Sequence, residues 1–194
     1  MSDKSCTTCV NYSDVCRKCV GSGIFSEYRE KADTPTILDS GERREFDTGA
    51  VRDIQEGKGR CDLLPLDMVG TLIGDERLNS NEVILEISGY QRTHDCRFLQ
   101  YAIESFCNLR GWDIFTALLE VSKHFEAGCK KYGERNWEKG IPEHCYIDSC
   151  IRHYLKWLAG WTDEPHDRAV IWNLICLWWT HKNVNVAEVQ EVQE

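Results

Sequence analysis

Carboxylates and imidazoles recur between residues 120 and 167, at spacings that place them on the faces of successive helices. Glu120 and His124 are four residues apart, and residues at that spacing share one face of a helix. Hard divalent cations such as Mg²⁺ prefer carboxylate oxygens and accept an occasional nitrogen, so acids on neighbouring helices can form a metal site. The residues that we predict as metal ligands are Glu120, Glu126, Asp148, His153, Asp163 and His166.

Each of these residues also has an ordinary structural explanation. Glu120 can be a solvated residue of a charged helix face, and His124 can be a half-buried packing residue beside an apolar stripe. Arg152 lies four residues after Asp148, so these two side chains can form a structural ion pair on one helix. Spacing alone leaves these alternatives open.

The segment KKYGERNWEKG, residues 130–140, combines cations with aromatic side chains in a loop that contains two glycines. Cations bind phosphate groups, an aromatic face stacks on a base, and an asparagine amide can pair with a base edge or a sugar. The segment therefore predicts a site for a phosphorylated ligand that contains a ring. The residues predicted to bind it are Lys130, Lys131, Tyr132, Arg135, Asn136, Trp137 and Lys139.

A second basic segment, residues 46–65, alternates glycines with charged residues. A glycine-bracketed basic loop lets backbone N–H groups and cations approach an anion together. Its spacing is not that of a P-loop, and a plain charged loop before a helix explains it equally well. The further residues predicted to bind the ligand are Arg52, Lys58 and Arg60 from this segment, Arg152, and Asn173, whose amide lies in an apolar run and needs partners.

The hydrophobic pattern predicts an all-α fold. From Leu63 onward, apolar residues recur at intervals of three and four, and the alternation typical of strands is scarce. Pro165 fits the first position of a helix, where its missing N–H has no cost. In the C-terminal half the predicted helices cover 112–129, 146–159 and 165–180.

Composition divides the chain into four parts. Residues 46–182 are predicted to form one helical domain. The polar segment 21–45, which glycine, serine and proline interrupt, precedes it as a linker. Residues 183–194 follow it as a flexible acidic tail.

Four of the eleven cysteines form two CxxC pairs within residues 1–20. Each pair can present two thiolates from one tight turn, and two pairs complete a tetrahedral site for Zn²⁺. A disulfide framework is the alternative, but the cysteine count is odd and the N-terminus has no apolar signal segment. We therefore predict a zinc knuckle with the ligands Cys6, Cys9, Cys16 and Cys19.

The charge balance and hydropathy narrow the function classes. The chain has 23 Lys and Arg against 32 Asp and Glu, a net charge of −9, which argues against sequence-independent binding of nucleic acid. No apolar stretch approaches the ~20 residues that cross a bilayer. We therefore expect a cytoplasmic protein without a transmembrane helix.

Four segments resemble the dATP/dGTP diphosphohydrolase family, mostly phage-encoded enzymes related to the all-α, MazG-like nucleotide pyrophosphohydrolases. They read GAVRD…GKGRCDLLP, HFEAGCKKYGERNWEKGIP, YIDSCIRHYLKWLAG and DEPHDRAVIWNLICL, and lie within about 46–66 and 113–180. The resemblance implies a helical bundle that uses Mg²⁺ or Mn²⁺ to cleave dATP or dGTP to the monophosphate and pyrophosphate. Residues 67–112 then look like an insertion, the CxxC module looks like an addition, and the location is the host cytoplasm.

The sequence departs from the usual MazG-type signature, which is ExxE on one helix and ExxD on another. Here Glu120 and Glu126 are six residues apart, and the second pair is replaced by acids that stand near histidines. In the mechanism that the resemblance implies, one carboxylate orients or deprotonates the attacking water, and Glu126 is the first candidate. The predicted catalytic residues are Glu126, Asp148, His153 and Asp163.

Two other functions fit the same residues. The altered signature suits a non-catalytic protein that sequesters a nucleotide, and the knuckle suits an interaction module that recognises a partner. Related folds assemble as dimers or tetramers, and the tryptophans of the last predicted helix offer apolar surface for such assembly. Those tryptophans can instead fill the core of the monomer.

Overall fold

The computed structural model describes residues 41–73 and 80–184, all of which belong to the unit Ile37–Glu194. Helices dominate this part of the chain, so the all-α prediction is confirmed at that level. The predicted zinc ligands Cys6, Cys9, Cys16 and Cys19 lie outside the described residues, as do most of the linker and the tail. The elements are β1 (Arg43–Glu45), β2 (Val51–Asp53), α1 (Leu66–Ile73), α2 (Ser80–Thr93), α3 (Cys96–Arg110), α4 (Ile114–Tyr132), α5 (Glu143–Leu158) and α6 (His166–Asn183).

Helices α5 and α6 form the centre of the fold. Every residue from Cys145 to Ile151 in α5 is buried, as expected of a helix that is covered on most of its faces. Helix α6 packs against α3, α4 and α5. Cysteines in these helices, including Cys150 and Cys176, are buried and reduced, so they act as small apolar residues.

Local signals set the helix boundaries in the C-terminal half. Gly111 ends α3 in a left-handed conformation with φ 75°, and Asp113 then caps α4 by accepting hydrogen bonds from Phe115 N at 2.9 Å and Thr116 N at 3.0 Å. The three helices predicted here are present, with shifted ends. Pro165 immediately precedes the first residue of α6 instead of occupying it.

The segment that resembles an insertion, residues 67–112, forms most of α1 to α3. Helix α1 packs on α2, α2 packs on α3, and α3 contacts both α4 and α6. Buried residues of α2 and α3, including Ile84, Tyr90 and Phe106, belong to the same hydrophobic core as α5 and α6. In the described part of the chain, no helix is both long and apolar enough to cross a bilayer.

A two-stranded antiparallel sheet differs from the charged loop expected at this position. Strand β1 pairs with β2, with Arg44 opposite Arg52, and Phe46 and Ala50 at the turn are 1% and 0% exposed. The turn is fixed by tertiary contacts, because Thr48 Oγ1 donates to Gly140 O at 2.7 Å. These partners are about ninety residues away in the chain, so local sequence patterns do not reveal the hairpin.

Candidate active site

A cleft of about 940 Å³ opens between β2, the second half of α4, the loop after α4, and the facing sides of α5 and α6. A cavity of this size accommodates a small organic ligand. Its wall carries eight of the residues that the sequence predicts to bind a ligand: Arg52, Lys58, Tyr132, Arg135, Asn136, Trp137, Arg152 and Asn173.

Two arginines meet on the cleft wall at one hydroxyl group. Ser149 Oγ accepts hydrogen bonds from Arg52 Nη2 at 3.2 Å and from Arg152 Nη2 at 3.0 Å. Arg52 Nη2 also donates to Asn173 Oδ1 at 3.2 Å, and Arg52 Nη1 has no hydrogen-bond acceptor among the described residues. Two guanidinium groups so close repel each other, and an anion bound between them would relieve that repulsion.

Aromatic rings line the cleft beside the arginines. The guanidinium of Arg52 lies 5.1 Å from the ring centre of Tyr146 and 6.0 Å from that of Trp172. Phe125 packs against Trp137 and Trp172 with ring centres 5.5 Å and 5.8 Å apart. The rings of Phe125, Trp137 and Trp172 line the cleft and give it an apolar surface on which a flat ring system can stack.

Unpaired polar atoms lie within this aromatic region. Among the described residues, neither His124 Nδ1 nor Trp172 Nε1 has a hydrogen-bond partner. Burial, with nearby cations, lowers the pKa of His124 to about 4, so its imidazole is neutral at pH 7. Buried polar atoms are normally paired, so these two atoms and Arg52 Nη1 are exceptions among the residues that line the cleft.

Asn136 and Asn173, which the sequence predicts to bind the ligand, hold neighbouring groups in place through their side-chain amides. Asn136 Oδ1 accepts from Val51 N and its Nδ2 donates to Val51 O, both at 2.9 Å, so its amide fixes β2 to the loop after α4. Asn173 donates to Ala169 O at 2.8 Å and accepts from Arg52. The expectation that a buried amide at 173 has polar partners agrees with these contacts.

Four of the predicted cations are not on the cleft wall. Arg60 forms an ion pair with Asp62, and Lys130 pairs with the exposed carboxylate of Glu126. The buried Lys131 pairs with Asp53 at 2.8 Å, and Lys139 donates to Gly49 O at 3.1 Å. A basic sequence does not specify the partner of each side chain, and these four cations bind protein groups outside the lining of the cleft or at its edge.

The six predicted metal ligands do not gather at one point, because their carboxylates are held by different cations. Glu120 pairs with Arg168 and Lys123, and Glu126, with a side chain 65% exposed, pairs with Lys130. Asp148 is 1% exposed; its carboxylate pairs with Arg152 at 2.6 Å and accepts from Cys61 N and Gln55 Nε2. Asp163 pairs with Lys156 at 3.0 Å and with His166 at 2.8 Å.

A smaller donor cluster does form at the end of the cleft. His153, Glu164 and His166 each offer one ligand atom, and these atoms lie within 4.8 Å of one another. Asp163 Oδ1 contacts His166 Nε2 at 2.8 Å, and His166 Nδ1 contacts His153 Nδ1 at 2.9 Å. Asp163 therefore orients an imidazole of the cluster, and the neighbouring Glu164 faces the cleft in its place.

Burial governs the titration of this cluster. It lowers the pKa of His153 well below the usual range, and it also lowers the pKa of His166, where Asp163 opposes the shift. Burial raises the pKa of Glu164, and the positive charge of the nearby Lys156 partly offsets this increase. Two neutral imidazoles and one carboxylate fit Mn²⁺ or another first-row cation better than Mg²⁺, which prefers oxygen ligands.

Residues that sequence analysis did not single out complete the site. They include Ser149, which joins the two arginines, Glu164 in the donor cluster, and Lys156 and Trp161 beside it. Only Glu164 had a sequence signal, because it stands next to Asp163 at the start of a helix; which of the two acids faces the cleft depends on the turn before α6.

The helices around the cleft lie within a segment that matches a known protein family. Residues 108–189 match the family described as dATP/dGTP diphosphohydrolase, N-terminal. No curated protein and no solved structure matches the chain significantly. The matched range includes all of α4, α5 and α6, whereas β2 and its basic loop lie before it. The comparison therefore supports the resemblance to the dATP/dGTP diphosphohydrolase family over residues 108–189, which are less than half of the chain.

Proposed function

We propose that the protein hydrolyses dATP or dGTP to the nucleoside monophosphate and pyrophosphate in this cleft. The observation that carries the proposal is the arginine pair: Arg52 and Arg152 share Ser149 Oγ, and Arg52 Nη1 has no acceptor among the residues described. The family match supplies the reaction class.

The cations of the cleft suit the triphosphate. Arg52 and Arg152 would bind non-bridging phosphate oxygens, with Lys58 and Lys156 on the same wall. Burial lowers the pKa of Lys58, although Asp53, 3.7 Å away, opposes that shift. The aromatic surface of Phe125, Trp137 and Trp172 would stack on the purine.

The reaction replaces one P–O bond with another. The oxygen of water attacks the α-phosphorus, the bond from that phosphorus to the bridging oxygen of the β-phosphate breaks, and pyrophosphate leaves with the electron pair. Glu126 lies on the cleft wall and would orient or deprotonate the water. Its pairing with Lys130 lies at the surface, so a bound substrate can displace it.

A divalent cation fits the end of the cleft. His153, Glu164 and His166 would hold it, and Asp163 would keep the imidazole of His166 in place by its hydrogen bond. When bound, such a cation neutralises phosphate charge and lowers the pKa of coordinated water.

Product chromatography tests the proposal. The full-length protein is incubated with each of the eight standard nucleoside triphosphates and with Mg²⁺ or Mn²⁺. We expect deoxypurine monophosphate and pyrophosphate to appear, and we expect Arg52→Ala to lower kcat/KM about 10- to 100-fold, the loss of a hydrogen bond to a charged group.

The matched control is Arg97→Ala, which removes an exposed arginine paired with Asp95 at the start of α3. Its kcat/KM should equal that of the wild type. No pyrophosphate from any nucleotide, or equal activity in Arg52→Ala and the wild type, would contradict the proposal.

A non-catalytic nucleotide binder is the second candidate. It is favoured by one observation: Glu120, Asp148 and Asp163 are already neutralised by cations, so the described residues form no all-carboxylate metal centre. Calorimetry in EDTA separates the candidates. Tight binding of an intact nucleotide without metal supports the binder, and binding that requires metal and yields products supports the enzyme.

A further inference from the structure

A second group of metal-binding side chains lies at the opposite ends of α5 and α6 from the cleft cluster. His94 directly follows α2, Glu143 is the first residue of α5, and His181 lies in the last turn of α6. One ligand atom from each lies within 4.8 Å of the other two. The cleft wall includes none of the three.

Glu143 stands between the two imidazoles. Its Oε1 lies 2.9 Å from His181 Nδ1, and its Oε2 lies 3.6 Å from His94 Nδ1. The two imidazole rings stack, with centres 6.1 Å apart and planes 13° apart. The hydroxyl of Tyr90 lies 2.9 Å from His181 Nδ1, so four polar groups surround one small volume.

Hydrogen bonds can connect these groups in two ways. If His181 Nδ1 carries a hydrogen and donates it to Glu143, the Tyr90 hydroxyl directs its own hydrogen to Glu143 as well. If Nδ1 carries none, its lone pair faces a carboxylate oxygen at 2.9 Å and the two repel each other. A cation between the carboxylate oxygen and both imidazole nitrogens would accept an electron pair from each of these three atoms.

We propose that His94, Glu143 and His181 bind a Zn²⁺ ion that joins α2 to α5 and α6. Two imidazole nitrogens and one carboxylate oxygen form a ligand set typical of tetrahedral zinc, with water or Tyr90 at the fourth position. The side chain of His94 is 63% exposed, which leaves a path for the ion, whereas that of Glu143 is 14% exposed and therefore well ordered by its neighbours.

The position of the site gives it a structural role. His94 belongs to the segment before residue 108, whereas Glu143 and His181 lie within the range that matches the family. The ion would therefore join α2, which precedes residues 108–189, to α5 and α6, which lie within that range. The backbone of His94 is left-handed, with φ 53°, and its N–H donates to Tyr90 O at 2.8 Å, so the turn after α2 is fixed and directs the imidazole.

Metal content of the full-length protein tests the site. The wild type, His94→Gln and His181→Gln are loaded with Zn²⁺, desalted and analysed by inductively coupled plasma mass spectrometry. We expect each variant to retain one equivalent of zinc fewer than the wild type. Other zinc-binding groups in the chain are the same in all samples, so the difference isolates this site.

His144→Gln is the matched control, because His144 is an exposed histidine on the same turn of α5 and is not one of the three proposed ligands. It should retain the zinc content of the wild type. Circular dichroism in EDTA checks the fold of each variant. If His181→Gln does not fold, the result for His94→Gln decides, because that side chain is mostly exposed.

Substitution of Co²⁺ for Zn²⁺ gives a second readout. The spectrum of the wild type minus that of His94→Gln should show the weak bands of a nitrogen–oxygen site without thiolate charge transfer. Equal zinc content in the wild type and both variants would overturn the proposal. A thiolate band in the difference spectrum would also overturn it, because the lost ion would then have been bound by cysteines.

Discussion

Asp163 and Glu164 are adjacent in the chain, but the fold gives them different partners. Asp163 forms hydrogen bonds to Lys156 and His166, and Glu164 lines the cleft and completes the donor cluster. Sequence spacing identifies the pair of acids but not the member that faces the site. Substituting each acid in turn tests this difference, because the two substitutions should affect metal dependence to different extents.

Glu164→Gln should weaken activation by Mn²⁺ more than Asp163→Asn does. The first change removes a metal ligand, whereas the second removes an outer hydrogen-bond partner, a loss that typically lowers metal affinity about 10- to 100-fold. The measurement is turnover of dATP or dGTP against Mn²⁺ concentration for the wild type and both variants. A larger effect of Asp163→Asn would assign the metal to Asp163, as the sequence predicts, and contradict the role of Glu164.

His124 should make the fold sensitive to acid. The side chain is buried, and its pKa is lowered to about 4, whereas an unfolded chain binds the proton near pH 6.5. The unfolded state therefore takes up more protons as the pH falls through 6.5, and the free energy of unfolding should drop by about 2 kcal/mol between pH 7 and pH 5. Above pH 7 the residue is neutral in both states and contributes no pH dependence.

Urea unfolding at pH 7 and pH 5 measures this effect, with His124→Phe as the comparison. The variant keeps a ring against Trp172, 5.5 Å away in the wild type, but has no titrating group. Its loss of stability between the two pH values should be smaller by about 2 kcal/mol. An equal loss in both proteins would show that His124 is not buried as a neutral imidazole.

At the scale of elements, the β1–β2 hairpin places Arg52 in the cleft. The hairpin has only three residues per strand, and an isolated hairpin of that length is at best marginally stable. Its position depends on Asn136, which forms both hydrogen bonds to Val51. Asn136 therefore acts on the phosphate site through the position of Arg52.

Asn136→Ala should detach the hairpin from the loop after α4. The change leaves the N–H and C=O of Val51 without these partners, which should lower the free energy of unfolding by about 1–3 kcal/mol. Nucleotide binding should weaken as well, because Arg52 is then poorly placed. Asn183→Ala, which removes an exposed amide at the end of α6, is the control and should change neither stability in urea nor binding by calorimetry.

The elements that sequence analysis predicts are those specified by local signals. Helices α4, α5 and α6 follow from apolar periodicity, and the structure adds Gly111 and Asp113 as the local signals between α3 and α4. The hairpin and the arginine pair depend on contacts between residues about ninety or more positions apart, such as Val51 with Asn136 and Arg52 with Ser149. No local pattern contains that information, so the sequence indicates several residues of the cleft wall but not their geometry.

At the scale of the whole molecule, tryptophans of the last helix make contacts within the unit, which is one of the two alternatives that the sequence leaves open. Trp172 lines the cleft and Trp179 packs on Trp137 with ring centres 5.0 Å apart, so these tryptophans are used within the unit. Phe115 and Leu119 on α4 are instead 76% and 68% exposed and share one helix face. A dimer or tetramer stays a proposal, and light scattering of the full-length protein would measure its mass in solution.

We propose that water attacks the α-phosphorus of a deoxypurine triphosphate bound at the arginine pair. The most direct measurement is mass spectrometry of the products formed from dATP or dGTP in ¹⁸O-labelled water with Mn²⁺. We expect one ¹⁸O atom in the nucleoside monophosphate and none in the pyrophosphate. Label in the pyrophosphate, release of inorganic phosphate with a nucleoside diphosphate, or recovery of intact nucleotide would contradict the claim.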